Sequence, residues 1–245
     1  MSSILDLIKG KDYAITEHLI LKNPTLNEIS ENDEDIYYNA MNLICSTPSD
    51  YLVYLNDELG IDWERISEYE WFMSAFKCVP KSGLDLIFKD FNLDNLNWAI
   101  EDETEEICLI DENGNKIITP KIYKDLVELL RELNGFQKNT RISGNQSAHD
   151  AIIRSERKKI KRQKIINSKH HQKSILYSTV STLVNLEGFK YNYSTVWDLH
   201  IYQFTDALKR TQKIKYYNQL MAGVYAGTVD TSKIDKNDLL LFEDL

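Results

Sequence analysis

Residues 146 to 173 read QSAHDAIIRSERKKIKRQKIINSKHHQK. This stretch cannot lie inside a hydrophobic core, because burying unpaired cations costs more than any packing returns. Nine of the chain's 29 basic residues and one of its 38 acidic residues, Glu156, fall between Arg154 and Lys173. That leaves 20 basic against 37 acidic residues elsewhere. The expectation is a cationic surface helix that joins or leaves an acidic body. Ile152, Ile153, Ile160, Ile165 and Ile166 do not share one narrow face at about 100° per residue, so no single apolar stripe docks the whole helix. A helix this polar on most sides bridges solvent or meets a partner.

The chain before the basic stretch alternates start and stop signals. Tyr13, Ile15 and the run from His18 to Leu21 predict one or two short strands ending at Pro24. Thr25 with Glu28, and Ser67 with Glu70, are capping-box pairs that open helices. Asp33 to Ser46 carries Ile36, Tyr37, Ala40, Met41 and Ile44 at helical spacing. Thr47-Pro48 opens another helix, with Tyr51, Leu52, Leu55 and Leu59 inward and Gly60 as its stop. Leu84 to Phe91 is ambiguous between strand and helix. Leu96 to Ile100 reads as a strand, and Glu106 to Asp111 with Lys116 to Ile118 flank Asn113-Gly114, a hairpin signal of type I′. The N-terminal strands are expected to join the same small sheet. Thr119-Pro120 opens a helix to Asn134 with Ile122, Leu126, Leu129, Leu130 and Leu133 as its stripe, closed by Gly135.

Gln137 to Gln146 is polar and aperiodic, and it marks a domain boundary. Beyond the basic stretch, Leu176, Val180, Leu183 and Val184 pattern one helix. Trp197, Ile201, Phe204 and Leu208 pattern a second. Ile214, Tyr217, Leu220, Met221 and Val224 pattern a third. The fold class is mainly α (α+β). An N-terminal α+β domain with a small sheet and hairpin spans 1–136, a polar hinge and basic helix span 137–173, and a C-terminal helical bundle spans 174–245.

Composition narrows the functional classes. Nine Gly and four Pro are too few for a sandwich of many tight turns. No apolar run has bilayer-spanning length, and the N-terminus has no signal-peptide pattern. Cys45, Cys78 and Cys108 form no CxxC pair and read as reduced core thiols of a cytoplasmic protein. A net charge of −9 argues against nucleic-acid coating by the whole surface.

No phosphate-binding GxxxxGK[ST], dinucleotide GxGxxG or GxSxG elbow is present. His149-Asp150 and His170-His171 are candidate metal ligands, but positions 149 and 170 of one straight helix are about 30 Å apart at 1.5 Å per residue. His18 and His200 are isolated and read as hydrogen-bonded structural histidines. The acidic run Glu101, Asp102, Glu103, Glu105 and Glu106 lacks the ligand alternation and glycine of a calcium loop. No catalytic residue, metal or cofactor is expected, and the chain reads as a non-enzyme. Two surfaces remain as candidate sites. One is the cationic set Arg154, Arg157, Lys158, Lys159, Lys161, Arg162 and Lys164, which fits an acidic protein, another copy of the chain or phosphates. Against phosphates, the stretch has no interleaved aromatics for base stacking. The other is the aromatic set Tyr191, Tyr193, Trp197 and Tyr202, read as core by default or as part of a groove for a partner helix.

The segment LVNLEGFKYNYSTVWDLHIYQFTDALKRTQKIKYYNQLMAGVYAGTVDTSKI resembles proteins encoded among the tail genes of bacteriophages of low-GC Gram-positive bacteria. NPTLNEISENDEDIYYNAM and DYLVYLNDELGIDWERISEYEWF resemble the front halves of the same proteins. The resemblance covers most of the chain and is weakest between Lys81 and Pro120. It implies a tail protein or chaperone-like tail-assembly factor that binds tape-measure or tail-tube proteins, in the host cytoplasm or in the virion. It supplies no catalytic residues. Self-association and nucleic-acid binding through the basic helix are the alternative interactions, and no membrane contact is expected.

Overall fold

The computed structural model describes residues 3–100, 106–169 and 174–241. It is mainly helical, with small antiparallel sheets. The first half runs α1 (Ile4–Ile8), β1 (Tyr13–Ala14), β2 (Ile20–Leu21), α2 (Leu26–Glu31), α3 (Glu34–Cys45), α4 (Leu52–Glu58), α5 (Glu68–Phe76), α6 (Lys81–Ile87) and β3 (Phe88–Lys89). Then come β4 (Asn97–Ile100), β5 (Ile107–Ile110), β6 (Lys116–Ile118) and α7 (Pro120–Asn134). The basic helix is α8 (Gln146–Lys169), followed by α9 (Ile175–Val184) and α10 (Ile201–Tyr225).

Local chemistry sets most of these boundaries. At α2 and α5, Thr25 and Ser67 accept from the backbone N–H groups of Glu28 and Glu70, whose carboxylates accept in return from the cap backbone. Gly135, at φ 67°, ends α7 in the left-handed conformation that L side chains resist.

Three expectations need correction. First, the N-terminal strands do not join the hairpin. β1, β2 and β3 form one antiparallel sheet, with Leu21 opposite Phe88, and β4, β5 and β6 form another. The ambiguous run from Leu84 is helix to Ile87 and strand only at Phe88–Lys89, which is what lets it pair with β2. Second, the β5–β6 turn is not type I′, since Asn113 is not in the left-handed region and only Gly114 is, at φ 83°. Gly114 N–H donates to Asp111 O, and Asp111 N–H to Asn115 O, giving a three-residue loop. The Asp111 carboxylate accepts from both Asn113 and Asn115 N–H, which stabilises the longer turn. Third, the two helices expected after Trp197 are one 25-residue helix, α10. Nothing between Leu208 and Ile214 breaks it, because Lys209, Arg210, Thr211, Gln212 and Lys213 supply neither glycine nor proline.

The main core is built around α3. Tyr37, Ala40, Met41 and Ile44 are buried with Phe72 and Phe76 of α5, Leu84 and Ile87 of α6, and Leu126, Val127 and Leu130 of α7. The α3–α6 approach is close: a Cβ on Gly83 would lie 2.6 Å from the Ala40 Cβ. Leu176, Val180 and Leu183 of α9 and Ile201, Tyr202 and Phe204 of α10 belong to the same core. Two polar joints tie the late elements to the early ones. The Glu34 carboxylate accepts from Ser174 Oγ and from the Ile175 and Leu176 N–H groups, a cap on α9 supplied from 140 residues away. Leu26 N–H donates to Leu199 O and Ile201 N–H to Pro24 O, at 2.9 and 2.8 Å.

A smaller second core forms from Leu52 and Leu55 of α4, Trp63, Trp71 and Ala75, and Ile153 of α8. Buried Arg131 of α7 donates Nε and Nη2 to Cys45 O, closing the last turn of α3. Cys45 and Cys108 are buried, but Cys78 is exposed, because it follows the last turn of α5 on the side facing solvent.

Candidate interaction surface

α8 is held at one end and exposed at the other. Its start is fixed by the 137–145 segment, which has no regular structure but is held by specific hydrogen bonds to residues that flank α4 on both sides. Thr47 Oγ1 donates to Asn139 O, Ser49 Oγ accepts from Arg141 N–H, and Trp63 Nε1 donates to Arg141 O. The Glu64 carboxylate accepts from both Ser143 N–H and Ser143 Oγ.

His149 then stacks on Trp63, with ring centroids 4.2 Å apart and 17° between planes. Its Nε2 lies 3.2 Å from Asp62 Oδ1. Burial raises the Asp62 pKa, but the Glu64 backbone N–H and the His149 hydrogen bond outweigh it and hold the carboxyl below its ordinary value. His149 thus serves as a packing and hydrogen-bonding residue. His170 and His171 lie outside the described residues. Among the described residues no cluster of metal-ligating side chains occurs.

One turn further on, Ile153 is 4% exposed and Ile152 packs beside it. Glu156 pairs with Arg141 at 2.6 Å and with Lys159 at 3.2 Å. Arg157 clamps Asp57 with two bonds, Nε to Oδ2 at 2.8 Å and Nη2 to Oδ1 at 2.5 Å. This guanidinium is the main reason the Asp57 carboxyl is pushed down to about 2.

Beyond Arg157 the helix leaves the body. Residues 157–167 are all exposed, and Ile160, Ile165 and Ile166 are 39%, 48% and 44% exposed. The side chains of Lys158, Lys161, Arg162 and Lys164 form no ion pair or hydrogen bond among the described residues. The seven candidate cations therefore divide by role. Arg157 and Lys159 are engaged, Arg154 Nε caps Asp150 O at 3.2 Å, and the remaining four face solvent. Lys169 lies in α8, and Lys173 lies outside the described residues.

The candidate aromatics separate as well. Tyr202 is buried in the main core, and Trp197 packs against that core with its Nε1 donating to Tyr193 O at 3.0 Å. Tyr191 and Tyr193 are 41% and 55% exposed. Tyr193 accepts from Asn185 Nδ2 at 2.8 Å, and Tyr191 sits against Phe189 with centroids 5.6 Å apart. A groove beside Tyr191 is lined by Leu186, Phe189, Ile214 and Lys215. His200 is structural. Its Nδ1 contacts Asn23 O, and its ring fills the space that a side chain at Gly10 would need. His18 lies at the surface, 3.3 Å from Glu17.

Sequence reasoning missed Asp57, Asp62 and Trp63, which anchor the helix. Asp57 and Arg157 are 100 residues apart, so no local pattern joins them.

No helix among the described residues is long and apolar enough to cross a membrane. Residues 159–239 are similar to the family described as YomV second domain. The match covers about a third of the chain and begins at Lys159, where α8 departs from the body. No curated protein and no solved structure matches the chain.

Proposed function

We propose that the chain is a non-enzymatic binding factor that engages other proteins through the free half of α8, and that it serves phage tail assembly. The observation that supports this reading is the division of α8. Its first half is held by Ile153, Arg157 and His149, while its second half presents Lys158, Lys161, Arg162 and Lys164 without internal partners. A helix fixed at one end keeps its exposed cations in defined positions, which lowers the ordering cost of binding. The acidic, well-hydrated body suits a partner that must keep an aggregation-prone, helical tail protein in solution. The tail assignment draws on the resemblance of residues 23–41, 50–72 and 183–234, and implies work in the host cytoplasm, with the virion as the alternative location. Tape-measure and tail-tube proteins are the expected partners.

Co-expression with tail proteins encoded beside it tests the reading. The expected result is a stable complex by gel filtration that is lost in the Lys158→Glu/Lys161→Glu/Lys164→Glu variant. A chain that stays free with every tail protein, together with normal tails in its absence, overturns it. The runner-up is nucleic-acid binding by the same cations. It would show as affinity for mixed-sequence DNA or RNA that falls steeply with salt.

A further inference from the structure

We propose that α8 carries one docking motif twice, and that its exposed second copy receives an acidic amphipathic helix of a partner protein. The first copy is Ile153-Arg154-Ser155-Glu156-Arg157, and the second is Ile160-Lys161-Arg162-Gln163-Lys164. Each places an isoleucine, a cation one residue later and a cation four residues later. The copies are seven residues apart. Seven residues bring a helix back to nearly the same face, with a drift of about 20°, and advance it about 10 Å.

The fold shows what the first copy binds. Ile153 enters the small core beside Leu52 and Leu55, and Arg157 holds Asp57. Leu52, Leu55 and Asp57 come from α4, a short helix with an apolar face and an acidic end, while Trp63, Trp71 and Ala75 complete the core around Ile153. α4 stops at Glu58, so the body offers no equivalent helix to the next two turns of α8. Ile160 is consequently 39% exposed, and Lys161 and Lys164 stand free. A partner helix that presents two leucine-like residues and a following carboxylate would continue the line of α4 along α8 and repeat its contacts.

The charge of that helix follows from its surroundings. Lys158, Lys161, Arg162 and Lys164 lie within two turns with no acid among them, so a basic or neutral helix is penalised and an acidic one favoured. An isoleucine at the centre of the motif, with no Phe, Tyr or Trp between Gln146 and Lys169, fits a protein helix better than a stack of bases. The inference rests on the protein-binding reading above and adds the chemistry of the partner.

The test uses the full chain and a stapled, fluorescein-labelled peptide with the sequence of residues 48–62. That peptide presents Leu52, Leu55 and Asp57 as the model acidic helix. Fluorescence anisotropy should show saturable binding, weakened at least about tenfold by Ile160→Asp and by Lys161→Glu/Lys164→Glu in the chain. A peptide carrying Asp57→Lys and Glu58→Lys should lose a similar factor. The two chain variants change exposed residues, so unaltered circular dichroism is expected of both.

Absence of peptide binding overturns the proposal, as does binding indifferent to Ile160→Asp. If a DNA or RNA oligonucleotide binds more tightly than the peptide, through the lysines and not through Ile160, the surface belongs to nucleic acid. If concentration-dependent self-association vanishes in Ile160→Asp, the occupant is a second copy. Either result replaces the foreign acidic helix. A tail-protein complex that survives Ile160→Asp but not the lysine reversals would remove this motif and leave the proposed function standing.

Discussion

The two motif isoleucines allow one substitution to be read twice on one helix. Ile153→Ala removes three carbon groups from a site that is 4% exposed. At about 0.8 kcal/mol per buried carbon group the transfer loss is about 2.4 kcal/mol. A partial cavity adds to this, and the better helix propensity of alanine offsets about 0.4 kcal/mol. The small core lies near the surface and can relax inward, so the net expected loss is about 2–3 kcal/mol. Ile160→Ala makes the same chemical change where the side chain is 39% exposed. It should fall within about 0.5 kcal/mol of the parent. Urea unfolding followed by tryptophan fluorescence measures both, because Trp63 and Trp71 line the core that Ile153 fills. Ile153→Ala should lower the midpoint with little change in slope, and Ile160→Ala should leave it in place. Equal losses at the two positions, or a larger loss at Ile160, would refute the account of a helix docked at one end only.

Other outcomes follow from particular contacts. Gly83→Ala would force a Cβ to 2.6 Å from the Ala40 Cβ, so α3 and α6 must separate, at a cost of about 1–3 kcal/mol readable as a lowered melting temperature. An unchanged melting temperature would mean that the two helices can part without loss. Asp57 is held at about 2 by Arg157, so its pairing contributes in full above its unfolded pKa, about 3.9, and is lost as pH falls toward 2. The stability gap between the parent and Asp57→Asn should therefore close on acidification across that window, and a gap independent of pH contradicts the pairing. Cys78 is exposed, whereas burial pushes the Cys45 thiol up to about 12 and Cys108 is also buried. Thiol titration of the native protein should show one fast cysteine, with three after denaturation; three fast thiols would mean an open core.

The sequence made helix starts legible wherever the chemistry was local. Thr25, Ser67 and Thr119 cap as their spacing implies, and Gly135 stops α7. Pairings between distant segments were not legible. β2 selects β3 because α6 delivers Phe88 to it, a fact that resides in the packing of α3 on α6 rather than in either strand. Arg131 looks like a solvated residue beside the apolar stripe of α7, and only the buried carbonyl of Cys45 explains its burial. At the candidate surface, charge alone marked α8. It could not separate Arg157, bound to the body, from Lys161 and Lys164, which are free, because the distinguishing carboxylate is Asp57.

The paired hydrogen bonds between residues 24–26 and 199–201 bear on the order in which the chain can mature. On a ribosome, the first segment emerges long before its partner exists. Until about 200 residues have been made, Pro24 and Leu26 lack the backbone partners that Ile201 and Leu199 supply. Folding during synthesis thus passes through a stage that lacks this joint, and the strand-like contact at Thr25 and His200 is the latch that ends it.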